Sequence, residues 1–162
     1  MPVHRRAEQA TRRLGEVVLI SEIEAALAPL VGMRVWDAAR AVDLDMFQLG
    51  ERRLVTSKFG PRKGETREVG TYALHVQCAW RICGAHGIVV SEAEPIERIA
   101  AWLEPQTCVV ERVTGDAAGG FSLALAGGFS LDVIPDRRRD EQWRLVHVSG
   151  HVVFVDGRVE SV

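Results

Sequence analysis

The stretch Tyr72-Ala-Leu-His-Val-Gln-Cys-Ala-Trp-Arg-Ile-Cys83 decides how this chain is read. Tyr72, Leu74, Val76, Cys78, Trp80 and Ile82 fall on one side of an extended backbone. Ala73, His75, Gln77, Ala79, Arg81 and Cys83 fall on the other. Successive side chains of a strand point to opposite faces, so the alternation predicts one strand with a core side and a polar side.

Downstream of it, Gly87–Ser91 reads as a short strand and Pro95–Leu103 as a helix with Ile96, Ile99 and Leu103 on its inner face. Phe121–Leu125 and Phe129–Val133 flank Ala126-Gly127-Gly128. A three-residue loop with Gly128 left-handed pairs Leu125 with Phe129, Leu123 with Leu131 and Phe121 with Val133. Ser122, Ala124, Ser130 and Asp132 then take the opposite face. A two-residue loop would mix the faces, so the hydrophobic pattern selects the longer one. Trp143–Val148 supplies a further strand. A second hairpin joins Val152–Val155 to Arg158–Ser161 through Asp156-Gly157, with Phe154 opposite Val159.

Upstream, Met33–Ala41 and Leu44–Leu49 are strand candidates, and residues 56–70 are a Gly-rich, basic connection. Ile20, Ile23, Leu27 and Leu30 fall at helical spacing, with Ser21 and Glu24 fitting a capping box and Pro29 and Gly32 ending the helix. Residues 3–14 are polar helix formers in which Arg5, Arg6, Arg12 and Arg13 recur at a spacing of seven, as on a solvated face. Many strands with short loops and few helices predict an α+β fold. Its sheet is expected to be curled, mainly antiparallel, with about seven to nine strands packed against two or three helices.

The chain has 162 residues, which predicts a single domain over 1–162 with residues 1–14 as a peripheral helical arm. A chain of this size buries roughly 70% of its unfolded surface, so no metal or disulfide is needed to hold a core. Net charge is −2, which gives no electrostatic reason for a nucleic-acid partner. Lys58 and Lys63 are the only lysines, so arginine supplies 18 of the 20 cations, as a GC-rich bacterial genome would encode. The three cysteines are too few and too odd in number for a secreted disulfide framework. With no apolar run near the roughly 20 residues of a membrane span, the cytoplasm is the expected compartment.

His75, Cys78, Cys83 and His86 invite a zinc reading. On one strand, however, Cys78 lies opposite His75 and Cys83, and residues five apart are separated by about 17 Å. No metal site and no disulfide is expected there. The polar row His75, Gln77 and Arg81 is the binding candidate, with His75 the one side chain suited to proton exchange. Trp36 and Arg40, evenly spaced on an earlier strand, are further binding candidates, although packing alone accounts for both. Asp43-Leu-Asp45 resembles a metal-binding pair but is common at turns. Arg137, Arg138 and Arg139 are offset by Asp136, Asp140 and Glu141, which predicts a charged loop. The four tryptophans read as core and interface anchors. No nucleophile elbow, Walker loop, zinc-protease helix or dinucleotide fingerprint is present, so neither a catalytic residue nor a cofactor is expected.

Several of these segments together resemble a family of small uncharacterised bacterial proteins. They are Trp36…Arg40, Tyr72–Ile82, Gly119-Gly-Phe-Ser-Leu-Ala-Leu125, Gly127-Gly-Phe-Ser-Leu-Asp-Val133 and Glu141-Gln-Trp-Arg-Leu145, spanning about residues 30–155. That pattern has Pro where Ala79 stands and Phe where Ile134 stands. The resemblance implies a shared fold and carries no activity. The Glu-x-Trp-Arg-Leu strand is also similar to immunity proteins of bacterial toxin systems.

Two functions are expected in order. The first is a non-enzymatic protein-interaction module, immunity-like, with another protein as partner. The second is a small-ligand or catalytic domain in which Arg81 holds an anion and His75 exchanges a proton. A homodimer built on a sheet edge or face is compatible with either.

Overall fold

The computed structural model describes residues 2–136 and 140–162. One helix, α1, runs without interruption from Pro2 to Leu27, and a 3-10 turn follows at Ala28–Leu30. The two helical segments expected on either side of Gly15 are therefore one. Ser21 lies inside the helix and starts nothing, while the Glu24 carboxylate accepts a hydrogen bond from the Gly115 amide at 3.1 Å instead of closing a capping box. The turn and Gly32, with φ of 86°, end the helix as its sequence implies.

Thirteen strands and a second helix make up the remaining regular structure among the described residues. They are β1 (Arg34–Ala41), β2 (Leu44–Leu49), β3 (Arg53–Thr56), β4 (Thr66–Val69), β5 (Tyr72–Val76), β6 (Ala79–Gly84) and β7 (Gly87–Ser91). After α2 (Ile96–Leu103) come β8 (Cys108–Gly115), β9 (Phe121–Leu125), β10 (Phe129–Ile134), β11 (Glu141–His147), β12 (Gly150–Val155) and β13 (Arg158–Ser161). Every pairing is antiparallel. The α+β class is as expected. The strand count exceeds the seven to nine expected, and the helices number two.

Eleven strands hydrogen-bond in the order β13-β12-β11-β5-β2-β1-β8-β9-β10-β6-β7. This is not the single curled sheet that was expected. Two segments meet at β8, whose Cys108 and Val109 pair with β1 while Val110 to Gly115 pair with β9. Their inner faces pack on each other. The Phe47 ring of β2 meets Trp80 of β6 edge-on at 4.9 Å, and Phe121 of β9 meets Trp143 of β11 at 5.2 Å. Strands that change partners at corners are how such facing layers are joined.

The deciding stretch is one of these corners. Tyr72–Val76 pairs with β2 and β11, Ala79–Gly84 pairs with β10 and β7, and only Gln77 and Cys78 lie between. The expected single strand is therefore two, but its alternation survives the change of partners. Leu74, Val76, Cys78, Trp80 and Ile82 are all buried. The side facing the core is set by hydrophobic burial, whichever ladder the backbone joins.

Both hairpins have the expected registers. Leu125 pairs with Phe129, Leu123 with Leu131 and Phe121 with Val133 around a left-handed Gly128, and Phe154 pairs with Val159. Ahead of the first hairpin, Gly119 lies flat against the Phe154 ring, where an added Cβ would stand 1.9 Å from Cζ. Its φ of 91° also excludes most other residues. Its carbonyl accepts the Trp143 indole N–H at 2.8 Å, tying this turn to the centre of the core. Helix α2 closes the other side with Ile99 and Leu103 fully buried, and Arg34 of β1 donates to the Glu104 and Gln106 carbonyls beyond its last turn.

Candidate functional site

The crossover at Gln77 and Cys78 opens a cavity of about 730 Å³, with Arg40, Asp43, Asp45, Glu92 and Asp136 among its walls. Its charges are tied to one another. Arg40 donates from Nε to Asp45 Oδ1 at 2.6 Å and from a terminal nitrogen to Oδ2 at 3.1 Å. Two more of its donors reach the Glu94 and Glu92 carbonyls at 3.1 and 3.0 Å. Asp45, itself buried, also accepts the Trp80 indole N–H at 2.7 Å. Glu92 accepts the Trp80 amide at 3.1 Å. The hydrogen bond to Asp45 raises the Arg40 pKa, opposed by desolvation and helped by the nearby carboxylates. Arg40 is thus a clamp joining β1, β2 and the loop after β7. In the same cavity wall, burial first and Asp136 second push the Cys78 thiol up to about 12, so it stays protonated.

A second depression lies on the outer face of the sheet. After β2 the chain leaves the sheet, runs out along β3 and returns along β4 before joining β5, the neighbour of β2. The turn back into the sheet needs Gly70, because any Cβ there would lie 2.3 Å from the Leu49 carbonyl oxygen. Its amide donates to Gln48 Oε1 at 2.9 Å. The resulting ribbon covers a groove of about 330 Å³ floored by Met46, Gln48, Ala73, His75 and Val146. Arg53 pairs with Val69 and Val55 with Arg67, so these four side chains share one ribbon face, and all four line the groove. His147 closes one end, its ring stacked on Tyr72 at 4.6 Å.

No carboxylate lines this groove. His75 pairs across the ladder with Arg144, which is held by Glu141 at 2.8 Å and donates to His151 Nδ1 at 2.7 Å. Burial, then Arg144 and His151, lower the His75 pKa against a smaller opposite pull from Glu141. His75 is therefore a neutral imidazole near pH 7.

The structure separates the residues of the expected polar row. His75 lies in the outer groove, and Gln77 lies in the crossover, where its amide donates to the Gln142 carbonyl at 2.9 Å. Arg81 lies on β6 against Asp132 at 3.3 Å, beside the Cys83 thiol. Trp36 is buried, donates its indole N–H to the Gly50 carbonyl at 3.0 Å and carries Arg52 over its ring at 4.3 Å. Arg40 and Gln77 share the cavity wall, and His75 meets neither. The residues that sequence reasoning missed are Arg53, Arg67, Arg144 and His147. The signal for Arg53 and Arg67 lay in the alternations Arg53, Val55, just before the residues 56–70 read as a connection, and Arg67, Val69, within them, while Arg144 and His147 lie on the strand expected over Trp143–Val148. The Arg137–Arg139 cluster lies outside the described residues. No protein-family model, curated protein or solved structure matches this chain.

Proposed function

We propose that this protein is a non-catalytic interaction module that uses the first half of α1 to engage an acidic protein surface bearing an apolar groove. The observation that carries this reading is a second apolar stripe on α1 that its own core does not cover. Leu19, Ile23 and Leu27 pack into the domain, and Ile23 and Leu27 are completely buried. Val3, Ala7, Ala10, Leu14 and Val17 follow a 4-3-4-3 spacing on another face, roughly 160° away at 3.6 residues per turn. Residues 3–15 are all exposed, with Val3 at 76% and Leu14 at 66%.

The exposed first half has no packing of its own, and most helical stability in proteins comes from burying an amphipathic face. Seating that stripe in a groove is a recurring recognition mode. Arg5, Arg6, Arg12 and Arg13 outnumber Glu8 and Glu16, and Arg12 with Glu16 is the one ion pair on this half among the described residues. The excess of arginine selects an acidic partner and steers its approach. An immunity-like role, in which the chain occupies one other protein, is the form this reading takes.

The test is reconstitution with a purified partner identified by capture from the source organism. The expected result is a stoichiometric complex that weakens with salt and is lost with Leu14→Glu/Val17→Glu, two changes at exposed positions. A complex indifferent to those changes would remove the arm from the interface. Light scattering that finds a wild-type dimer, made monomeric by the same variant, would replace the acidic partner with a second copy. Binding of the arm to anionic vesicles and to no protein would also overturn the proposal.

A further inference from the structure

We infer that the groove between the β3–β4 ribbon and the outer face of β2, β5 and β11 binds a small organic anion, an oxyanion carried on a compact apolar body. Arg53 and Arg67 project from one face of the ribbon over the groove, and neither has an ion-pair or hydrogen-bond partner among the described residues. Arg12, Arg40, Arg52, Arg81, Arg98, Arg144 and Arg158 each meet a carboxylate, and of the described arginines that meet none, Arg53 and Arg67 are the two that line this groove. The pair occupies diagonal positions on adjacent antiparallel strands, where two long side chains reach a common point. Two guanidiniums converging on one carboxylate or phosphate make charge-assisted hydrogen bonds, the strong class in proteins.

The remaining walls define the rest of the ligand. Val55, Val69, Ala73 and Val146 offer an apolar surface suited to a single ring or short branched chain, within a volume of about 330 Å³. His75 stands in the floor as a half-buried polar group able to donate to an oxyanion. A cationic ligand finds no carboxylate here, and a volume of about 330 Å³ suits a small molecule. The groove shares no residue with the α1 arm, so the two proposals stand or fall separately.

The experiment is a titration of the full chain with phenyl phosphate and with benzoate, read by amide chemical shifts and by calorimetry. Inorganic phosphate supplies the charge without the ring, and benzylamine supplies the ring with the opposite charge. The expected result is saturable binding of phenyl phosphate or benzoate that shifts the Gly70, Thr71, Ala73 and Val146 amides. Whichever binds tighter identifies the oxyanion. Binding should weaken by at least about tenfold in Arg53→Gln/Arg67→Gln, the least expected from losing two charged hydrogen bonds. Both arginines are exposed, so this variant should retain the thermal midpoint of the wild type. Binding by neither anion tighter than about millimolar, or equally by benzylamine, would overturn the inference. So would undiminished affinity in the double variant, or shifts confined to another part of the molecule.

Discussion

The crossover cavity and the ribbon groove are built from the same kinds of side chain and differ in how those side chains are satisfied. In the cavity, one arginine lies among Asp43, Asp45, Glu92 and Asp136, and four of its five donors are committed to Asp45 and to two carbonyls. In the groove, two arginines and His75 line walls that carry no carboxylate. A charge whose partners are supplied inside the fold, as Asp45 and two carbonyls are for Arg40, contributes to architecture. One that has no internal partner, and that lies open to solvent, has interactions left to offer a ligand. The larger cavity, with one guanidinium among four carboxylates, is therefore the weaker candidate for an anion.

The largest expected effect would break this comparison at once. Arg40→Ala leaves the Asp45 carboxylate buried with only the Trp80 indole as donor, and removing one partner of a buried pair costs about 3–5 kcal/mol. Because Arg40 is itself partly exposed, the lower end of that range is expected. Arg53→Ala, at an exposed site with no partner, should change stability by less than about 0.5 kcal/mol. Urea unfolding of both variants decides the matter. Equal losses would mean that the ribbon is part of the packed structure and that its arginines are not free for a ligand.

That contrast also marks where the sequence was legible. Alternation in Tyr72–Cys83 reports which side faces the core, and the buried Leu74, Val76, Cys78, Trp80 and Ile82 agree with it. It does not report which strands lie alongside, so the change of partners at Gln77 left no mark. The hairpin at Ala126–Gly128 was readable because one register alone separates apolar from polar side chains. Strand β8 was missed because its bulge between Val110 and Arg112 shifts the phase. Cys108 and Val110 face inward, then Val113 and Gly115, and a strict period of two fails. β4 was missed because both its faces are largely solvent-exposed, so hydrophobicity does not choose between them. His75 could be picked out as a candidate, but its neighbours could not, because they reach it only after the ribbon folds back over the sheet.

A smaller effect sharpens the comparison through the cysteines. Burial raises the pKa of Cys78 to about 12 and moves Cys108 upward as well. Burial followed by Asp132 raises that of Cys83, which is only half-buried. Iodoacetamide at pH 8 should therefore modify Cys83 slowly, and Cys78 and Cys108 only on unfolding, as mass spectrometry of timed samples would show. Early labelling of Cys78 in the folded chain would mean that the crossover cavity opens to solvent and thiolate formation, contrary to a structural role.

The smallest effect is the pH response of the groove. His75 has a folded-state pKa below 6.5, lowered by burial and by the charges of Arg144 and His151, against Glu141. The unfolded chain therefore binds more protons at this site than the folded chain. Stability rises with pH through the window between the folded value and 6.5, and is lost as pH falls back through it. His75→Gln removes this contribution, so the difference in urea midpoint between wild type and variant should grow more favourable to the variant from pH 7 to pH 5. An oxyanion held beside His75, Arg53, Arg67 and His147 would favour the imidazolium and reverse the sign. In saturating phenyl phosphate or benzoate, whichever the groove prefers, wild type should take up protons on binding near pH 6 and His75→Gln should take up fewer. Two calorimetric buffers of different ionisation enthalpy measure that uptake directly. A reversal seen only with ligand would place the oxyanion against His75, since the Arg40 cavity holds no imidazole among its walls.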